Sequence, residues 1–185
     1  QSQTLPKTFA EMGLNPALLQ ALASENYTTP TPIQAQSIPD VMTGRDLLGI
    51  AQTGTGKTAA FALPILHRLA ANRVAPLPRT TRCLVLSPTR ELAAQIADNM
   101  RGYAKFLNLS VQCIFGGVPA RKQARALERG CDILVATPGR LLDHFERGKL
   151  LLTGVEILVI DEADRMLDMG FIPDIERICK QLPFT

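Results

Sequence analysis

Short apolar runs alternate with longer amphipathic stretches along most of the chain. Five apolar runs have the length of strands: 46–50, 82–87, 110–115, 132–136 and 155–160. They are continuously apolar, which is typical of parallel strands covered on both faces. The stretches with helical spacing are 57–71, 90–107, 119–129 and 141–147. This alternation predicts an α/β domain with a mostly parallel sheet and helices on both faces.

The first 40 residues depart from this alternation. Asn15 followed by Pro16 is a helix start signal, an N-cap residue before a proline at the first helical position, and the leucines that follow supply one apolar face. Thr31 followed by Pro32 repeats the signal. We expect residues 1–40 to form a helical preface packed on the sheet, within one domain that covers residues 1–185.

Composition narrows the class of protein. The chain has 185 residues, 46% of them hydrophobic, and a formal net charge of +3. Such a chain buries a core without disulfides, and its weak positive charge does not by itself indicate a nucleic-acid partner. No apolar run approaches the ~20 residues needed to cross a bilayer, and the first residues carry no signal-peptide pattern. We therefore expect a cytoplasmic protein without a membrane segment.

Cysteine and histidine are too scattered for a structural metal site. The four cysteines contain no CxxC pair, and there are only two histidines. We expect small, reduced core side chains at Cys83, Cys113, Cys131 and Cys179.

A glycine-rich segment follows the first predicted strand and opens the next helix. It reads Ala-Gln-Thr-Gly-Thr-Gly-Lys-Thr from Ala51 to Thr58, with Ala where the common phosphate-loop pattern has Gly. In this context backbone N–H groups face phosphate oxygens, and the helix dipole favours the anion. We expect Lys57 to contact the β and γ phosphates and the Thr58 hydroxyl to bind Mg²⁺. The residues predicted to bind the nucleotide here are Gln52, Thr53, Gly54, Thr55, Gly56, Lys57 and Thr58.

Acidic residues follow the last predicted strand, in the order Asp161-Glu162-Ala163-Asp164. Carboxylates at the C-terminal end of a parallel strand lie on the same edge as the phosphate loop. Asp161 can hold Mg²⁺ through water, and Glu162 can orient and deprotonate an attacking water and contribute to the metal site. An acidic strand end alone is more often a helix cap, but the two signals together favour phosphoryl transfer.

The acidic quartet and the segments around it resemble the amino-terminal RecA-like P-loop domain of DEAD-box RNA helicases. The resemblance covers nearly the whole chain. The motifs that carry it, in order, are Phe9, the run from Tyr27 to Gln34, the phosphate loop, Pro88-Thr89-Arg90-Glu91-Leu92, Gly116-Gly117, Thr137-Pro138-Gly139-Arg140 and the quartet itself. Asn26 stands where the family often has Gly.

The resemblance implies an adenine site and bound ATP with Mg²⁺. A glutamine amide offers one donor and one acceptor, so Gln34 can pair with N6 and N7 of adenine, whereas guanine reverses that pattern. Tyr27 is expected to stack on the adenine, with Phe9 bracing the pocket. Taken singly, Phe9 and Tyr27 read as core or rim packing.

The resemblance also implies RNA contacts at three segments. The implied residues are Pro88, Thr89, Arg90, Gly116, Gly117, Thr137, Pro138, Gly139 and Arg140. Their hydroxyls, backbone N–H groups and guanidinium groups suit the sugar–phosphate backbone, so we expect binding without base specificity. On composition alone, the two arginines read as solvated helix starts and the glycine pair as a turn. A further basic cluster at Arg121, Lys122, Arg125 and Arg129 has helical spacing and reads as a solvated face, with an RNA-rim role as the alternative.

Family members have two tandem RecA-like domains. The Ser-Ala-Thr motif and the second domain, with its arginine fingers, are absent from this sequence. The family places a further strand between the phosphate-loop strand and the Asp161 strand, so we expect a gap in the sheet and a chain that is part of a longer protein. Arginine fingers contribute about 10³–10⁵ to the rate, so this domain alone should hydrolyse ATP feebly.

The resemblance implies an ATP-dependent RNA helicase that separates short duplexes when two domains close on RNA. Two alternatives stay open: a DNA translocase of the same superfamily, and an ATP-gated RNA clamp or scaffold that turns over rarely. The run from Tyr27 to Gln34 and the acidic quartet weigh against the translocase.

Overall fold

The computed structural model describes residues 8–24, 29–30, 49–51 and 55–183. Five strands form one sheet in the order β1–β5–β2–β4–β3, and every neighbouring pair is parallel. The strands are β1 Gly49–Ala51, β2 Thr81–Leu86, β3 Val111–Ile114, β4 Cys131–Ala136 and β5 Ile157–Asp161. The predicted α/β class with a parallel sheet is confirmed.

Seven α-helices in the described part of the chain connect and cover the strands. They are α1 Pro16–Ser24, α2 Thr55–Ala71, α3 Arg90–Tyr103, α4 Ala120–Leu127, α5 Pro138–Glu146, α6 Ala163–Asp168 and α7 Ile172–Lys180. A 3₁₀ turn, Phe9–Met12, precedes α1. Helix α5 begins at Pro138 rather than at the predicted residue 141, because a proline at the first helical position needs no N–H partner. Helix α3 ends at Tyr103, four residues before the predicted end, and α6 and α7 were not predicted.

Alternating strand residues pack into two separate cores, one on each face of the sheet. Cys83 and Val85 of β2 lie in the core beneath α1, α2 and α3. Leu84 and Leu86 lie in the opposite core, with apolar residues of α4, α5, α6 and α7. Since successive strand side chains point to opposite faces, the continuously apolar strands are buried on both sides, as the sequence predicts.

Within the first 40 residues, the described part contains the 3₁₀ turn and α1. The Asn15 side chain accepts a hydrogen bond from the Ala17 N–H at 2.8 Å, which caps α1. The Asn15 backbone N–H donates to Nδ1 of His67 on α2 at 2.9 Å. Leu18 and Leu22 are buried in the core. The second predicted start, at Thr31, lies outside the described residues.

The expected gap between the phosphate-loop strand and the Asp161 strand is not present in the described sheet. Strands β1 and β5 are direct neighbours, with Gly49 opposite Val159 and Ala51 opposite Asp161. Direct pairing satisfies the N–H and C=O groups that an intervening strand would otherwise bond, and leaving them buried and unpaired would be costly. The prediction of a gap is therefore wrong for this structure.

The four cysteines are free thiols. The prediction of core positions is confirmed for Cys83 and Cys131, whose thiol pKa values are raised by burial. Cys113, on the edge strand β3, and Cys179, in the last turn of α7, are only half-buried and pack against the margins of the two cores. No helix in the described ranges is long and apolar enough to cross a membrane.

Gly130 lies in the turn between α4 and β4. We expect a substitution at Gly130 to lower the stability of the domain. Its φ is +78°, and an added Cβ would lie 2.3 Å from the carbonyl oxygen of Leu77. We expect Gly130→Ala to lower the free energy of unfolding in urea by roughly 2–4 kcal/mol. Gly148→Ala is the matched control, because Gly148 has a φ of +72° with no atom within 4 Å of the added Cβ. It should cost about 1–2 kcal/mol, and equal losses would contradict the steric argument.

Candidate functional site

The C-terminal ends of all the strands lie at one edge of the sheet, because every pair is parallel. Apart from the predicted adenine residues, which precede β1, the segments singled out from the sequence follow these ends. Those predicted to bind nucleotide follow β1 and β5, which are neighbours. Those predicted to bind RNA follow β2, β4 and β3, which are consecutive in the sheet. The edge therefore divides into two adjoining halves.

The predicted phosphate loop connects β1 to α2. Helix α2 begins at Thr55, so its first turn carries Thr55, Gly56, Lys57 and Thr58. A helix that begins directly after a parallel strand directs its free N–H groups to the strand's C-terminal edge. Thr58 is half-buried in that turn. Gln52, Thr53 and Gly54 lie outside the described residues, as do the side chains of residues 55–57.

The acidic pair lies directly beside this loop. Asp161, the last residue of β5, is opposite Ala51, the last residue of β1. Asp161 is 7% exposed and Glu162 is 9% exposed. Burial, and secondarily the charge of Glu162, raises the pKa of Asp161 to about 7. The site thus holds a carboxyl group that is poorly compensated by the protein alone.

Glu162 has a backbone conformation that is unusual for its residue type. Its φ and ψ are 57° and 52°, in the left-handed region, immediately before α6. Arg79 is the other non-glycine residue with positive φ in the described ranges, and it lies in an exposed turn. Oε2 of Glu162 lies 3.7 Å from Nη1 of Arg165. Strain held at a buried carboxylate is typical of a functional position rather than of a connecting turn.

The donor set at this edge fits Mg²⁺ with a nucleotide. Mg²⁺ is usually held by one or two carboxylates together with substrate phosphates and water. Asp161 and Glu162 supply such carboxylates, and a divalent cation would stabilise the ionised form of Asp161, which burial and, secondarily, the charge of Glu162 disfavour by raising its pKa. Among the described residues, no three His, Cys, Asp or Glu side chains group as a metal site.

Of the predicted adenine residues, only Phe9 is described. It is 3% exposed and packs in the core beneath α1 and α2. This position agrees with its interpretation as a packing residue, while bracing of an adenine pocket stays a prediction. Tyr27 and Gln34 lie outside the described residues.

The segment after β2 forms the N-terminus of α3. Pro88 is buried, and the half-buried Thr89 is the N-cap residue, whose Oγ1 accepts a hydrogen bond from the Leu92 N–H at 3.2 Å. The capping bond uses the oxygen of the hydroxyl, so its hydrogen is left to donate outward. Arg90 is exposed and its guanidinium lies 4.9 Å from the centre of the Phe115 ring.

Arg90 and the glycine pair after β3 lie together. Gly117 has a φ of +85°, and a Cβ added there would approach Nη1 of Arg90 to 3.5 Å. Gly116 and Gly117 are both exposed, and a Cβ added at Gly116 would meet no atom within 4 Å. The loop therefore presents bare backbone beside a guanidinium group, which suits a phosphate-bearing strand.

The third segment forms the first turn of α5 at the end of β4. Thr137 is its N-cap residue, without a side-chain capping bond, and is half-buried. Pro138 is buried, whereas Gly139 is exposed with open space above its Cα. Strands β2 and β4 are neighbours, so the N-termini of α3 and α5 lie at adjacent positions on the edge. Two helix N-termini there favour an anion.

Arg140 is not a solvated helix start. Its side chain is 15% exposed, and its Nη1 donates to the carbonyl oxygen of Val118 and to Oε1 of Gln123, both at 3.0 Å. Arg140 thereby ties α5 to the loop that follows Gly117. Its interpretation as a freely solvated group is wrong, and its contact with a phosphate stays a prediction.

Gln123 is a site residue that the sequence analysis missed. Its Nε2 donates to the carbonyl oxygen of Phe115 at 2.9 Å, so its Oε1 faces Arg140 and lies 3.2 Å from Nε2 of His144. His144 must donate in that contact, because the amide oxygen only accepts. One amide therefore joins the glycine loop to α5. A lone glutamine on the buried face of a predicted amphipathic helix is the signal that would have indicated it.

The chain matches one family model and several curated proteins. Residues 31–185 match the family model described as DEAD/DEAH box helicase. The chain is 50% identical over 180 residues to the ATP-dependent RNA helicase DeaD of Buchnera aphidicola subsp. Acyrthosiphon pisum, covering 97% of this chain and 29% of that protein. It is 50% identical to the protein of the same name from Escherichia coli strain K12, covering 95% and 27%. For the DeaD of Mycobacterium tuberculosis strain H37Rv, identity is 47% and coverage is 95% and 31%.

The matched relatives are much longer than this chain. The chain spans less than a third of the length of these curated relatives.

The pKa of Asp161 predicts how the stability of the metal-free domain depends on pH. The folded chain retains the proton up to about pH 7, whereas the unfolded chain loses it near 3.8, so the contribution of this group is full below about pH 4 and is lost as the pH rises through 7. We expect Asp161→Asn to remove this loss and to raise the free energy of unfolding at pH 8 by roughly 2–4 kcal/mol. Urea unfolding between pH 4 and 8 measures the effect.

The control is Asp164→Asn, which removes an exposed carboxylate from the same quartet. It should follow the wild-type profile. Parallel profiles for wild type and Asp161→Asn would contradict the assignment of the pH dependence to Asp161.

Proposed function

The chain belongs to the DEAD/DEAH box helicase family, and on that premise we propose that it is the ATP- and RNA-binding first domain of an ATP-dependent RNA helicase. The proposal includes duplex separation by a longer protein with a second RecA-like domain, and a cytoplasmic location. The observation that carries it is the pairing of β1 with β5, with Ala51 opposite Asp161. This pairing supports a single site shared by the loop before α2 and the acidic pair.

In the proposed ATP site, each residue has a distinct task. The N–H groups at the start of α2 bind phosphate oxygens, and Lys57 neutralises charge on the β and γ phosphates. Thr58 and Asp161 hold Mg²⁺, which, when bound, neutralises charge that develops on the phosphates. Gln34 and Tyr27 select and stack the adenine. The site thus aligns the triphosphate with the buried carboxylates.

Glu162 is proposed to orient the attacking water and accept its proton. Its position directly after β5 brings the carboxylate to the edge that the phosphate loop shares. Burial of Glu162 limits the access of bulk water to the base. The family resemblance assigns arginine fingers to a second RecA-like domain, so we expect residues 1–185 by themselves to turn over ATP slowly.

The RNA half of the proposal rests on bare backbone and helix N-termini. Arg90, Gly116, Gly117 and Gly139 are exposed at the ends of consecutive strands. The three glycines have no side chain that could read a base edge, and the Arg90 guanidinium lies beside the bare backbone of Gly117, which suits a phosphate. Binding should therefore follow the sugar–phosphate backbone. Strands β5 and β2 are neighbours in the sheet, so the ATP half and the RNA half are separated by about 5 Å of sheet width.

We expect Lys57→Ala to weaken ATP binding by this chain by about 100-fold or more, because phosphate charge would lose its principal cation. A fluorescent ATP analogue titrated in the presence of Mg²⁺ measures the affinity. Lys180→Ala removes the same charge at an exposed position in the last turn of α7 and should leave affinity unchanged. Equal affinity for Lys57→Ala and wild type would overturn the phosphate-loop assignment.

Measurements of ATP turnover and RNA retention by the longer protein distinguish the alternative activities. ATP turnover stimulated by RNA alone supports the helicase, and stimulation by DNA would favour a translocase. Tight RNA retention with negligible turnover would favour a clamp.

We expect Gln123→Leu to weaken RNA binding about 5- to 30-fold while leaving ATP affinity unchanged. The change removes the amide that holds Phe115, Arg140 and His144, and each lost hydrogen bond contributes about 0.5–1.5 kcal/mol. Gln123→Glu keeps both accepted bonds and should restore part of the affinity. Gln95→Leu, at an exposed position of α3, is the control. A parallel fall in ATP and RNA affinity would indicate general destabilisation instead.

A further inference from the structure

A basic groove lies between α4 and the C-terminal end of α5, away from the ATP half of the edge. Its cavity volume is about 300 Å³. Arg121, Arg125 and Glu128 of α4 line one side, and Arg147 and Lys149 line the other. Four cations thus face one carboxylate across a surface furrow.

The positive charge of this groove is largely uncompensated. Most arginines elsewhere in the described ranges have a carboxylate or carbonyl partner: Arg79, Arg82, Arg101, Arg140, Arg165 and Arg177. In the groove, Arg147 pairs with Asp143 at 3.0 Å, but Arg121, Arg125 and Lys149 have no ion pair within the described part of the chain. Clustered cations without partners favour an anionic ligand.

His144 lines the groove and gives a second, independent sign of a ligand. Its side chain is 1% exposed, and its Nε2–H is committed to Gln123. Nδ1 is therefore an acceptor, and it has no hydrogen-bond partner among the described residues. A buried acceptor of this kind is normally satisfied by water or by a ligand.

The groove continues directly from the glycine loop. Ala120 lines the groove and is the first residue of α4, three positions after Gly117. Helix α4 has eight residues, so the groove runs about 12 Å away from the loop. The apolar lining consists of Ala120 and Ala124, which offer no pocket for the apolar side chains of a peptide. The shape and charge therefore suit a backbone of regularly spaced anions.

We propose that this groove binds the ribose–phosphate backbone of an RNA strand that continues from the Gly116–Gly117 loop. The proposal rests on the proposed function, since it extends the path of the same strand. Arg121, Arg125 and Lys149 contact phosphates, and the polar groups of the strand with its ordered water satisfy the floor at His144. The basic cluster of α4 and the turn after it is then divided, because Lys122 and Arg129 do not line the groove.

That division supplies a charge-matched test within one helix and the turn that follows it. Arg121→Gln with Arg125→Gln removes two groove cations, and Lys122→Gln with Arg129→Gln removes two outside it. Binding of a fluorescein-labelled RNA of about 12 nucleotides is measured by anisotropy at several salt concentrations. We expect the groove variant to reduce the magnitude of the slope of log K for RNA binding against log [salt] by about 1.4, because two phosphate contacts with a single strand are lost. The same variant should weaken RNA binding several-fold at low salt. The control variant should keep the wild-type slope.

His144 provides a readout that a general charge effect would not move. The sequence contains only two histidines, so the ring ¹⁵N resonance of His144 can be identified with His67→Gln as reference. We expect RNA to shift the His144 Nδ1 resonance in wild type and in the control variant, but not in the groove variant.

Each result decides between the hypotheses. Equal loss in both double variants, or an unmoved His144 resonance with bound RNA, would overturn the groove while leaving the RNA half of the proposed function intact. A poly-glutamate peptide that shifts His144 when RNA does not would assign the groove to an acidic protein instead. A wild-type chain that binds no RNA would overturn the proposed RNA function itself.

Discussion

The parallel pairing of β1, β5 and β2 is the constraint on which the rest of the site depends. Parallel strands all end at one edge, so the loop before α2, the acidic pair and the N-terminus of α3 follow neighbouring strands whatever their separation in sequence. An antiparallel strand at any of these positions would move its loop to the opposite edge. A helix between each pair of consecutive strands returns the chain to the opposite edge, so each strand starts at the same edge and runs parallel to its neighbours. The strands are apolar on both sides because these helices cover both faces.

This edge concentrates groups that the protein alone does not satisfy. Asp161 and Glu162 are adjacent buried carboxyls, and Glu162 adds a left-handed backbone. Both features reduce the stability of the metal-free domain at neutral pH, and the Mg²⁺ of the proposed function would relieve the first of them. A site that is incomplete without its ligand binds that ligand at the expense of its own stability. Because this edge lowers the free energy of unfolding, the stability of the fold must come from the two apolar cores.

Patterns that reflect local physics were predictable from the sequence. The apolar runs indicated the strands, and Asn15 before Pro16 indicated the start of α1, because a cap and a fixed φ act within a few residues. The partners of side chains were not predictable in this way. Arg140 looked like a solvated group, yet it is held by Val118 and Gln123, 22 and 17 residues away in sequence. Likewise, β1 pairs with β5 because the edge of β5 is available for hydrogen bonding. The hydrophobic pattern of the sequence does not show which strand edges are available.

The hydrogen bonds of Gln123 order the Gly116–Gly117 loop before the proposed RNA strand binds. An exposed loop with two glycines would lose much conformational entropy on binding, which reduces affinity. Here the carbonyl of Phe115 accepts from Gln123, and that of Val118 accepts from Arg140, so both sides of Gly116–Gly117 are fixed in the folded protein. Part of the conformational entropy of the loop is therefore lost on folding, and it is not lost again on binding. Because the same amide also orients His144 at the floor of the groove, the loop and the groove are held in one fixed relation.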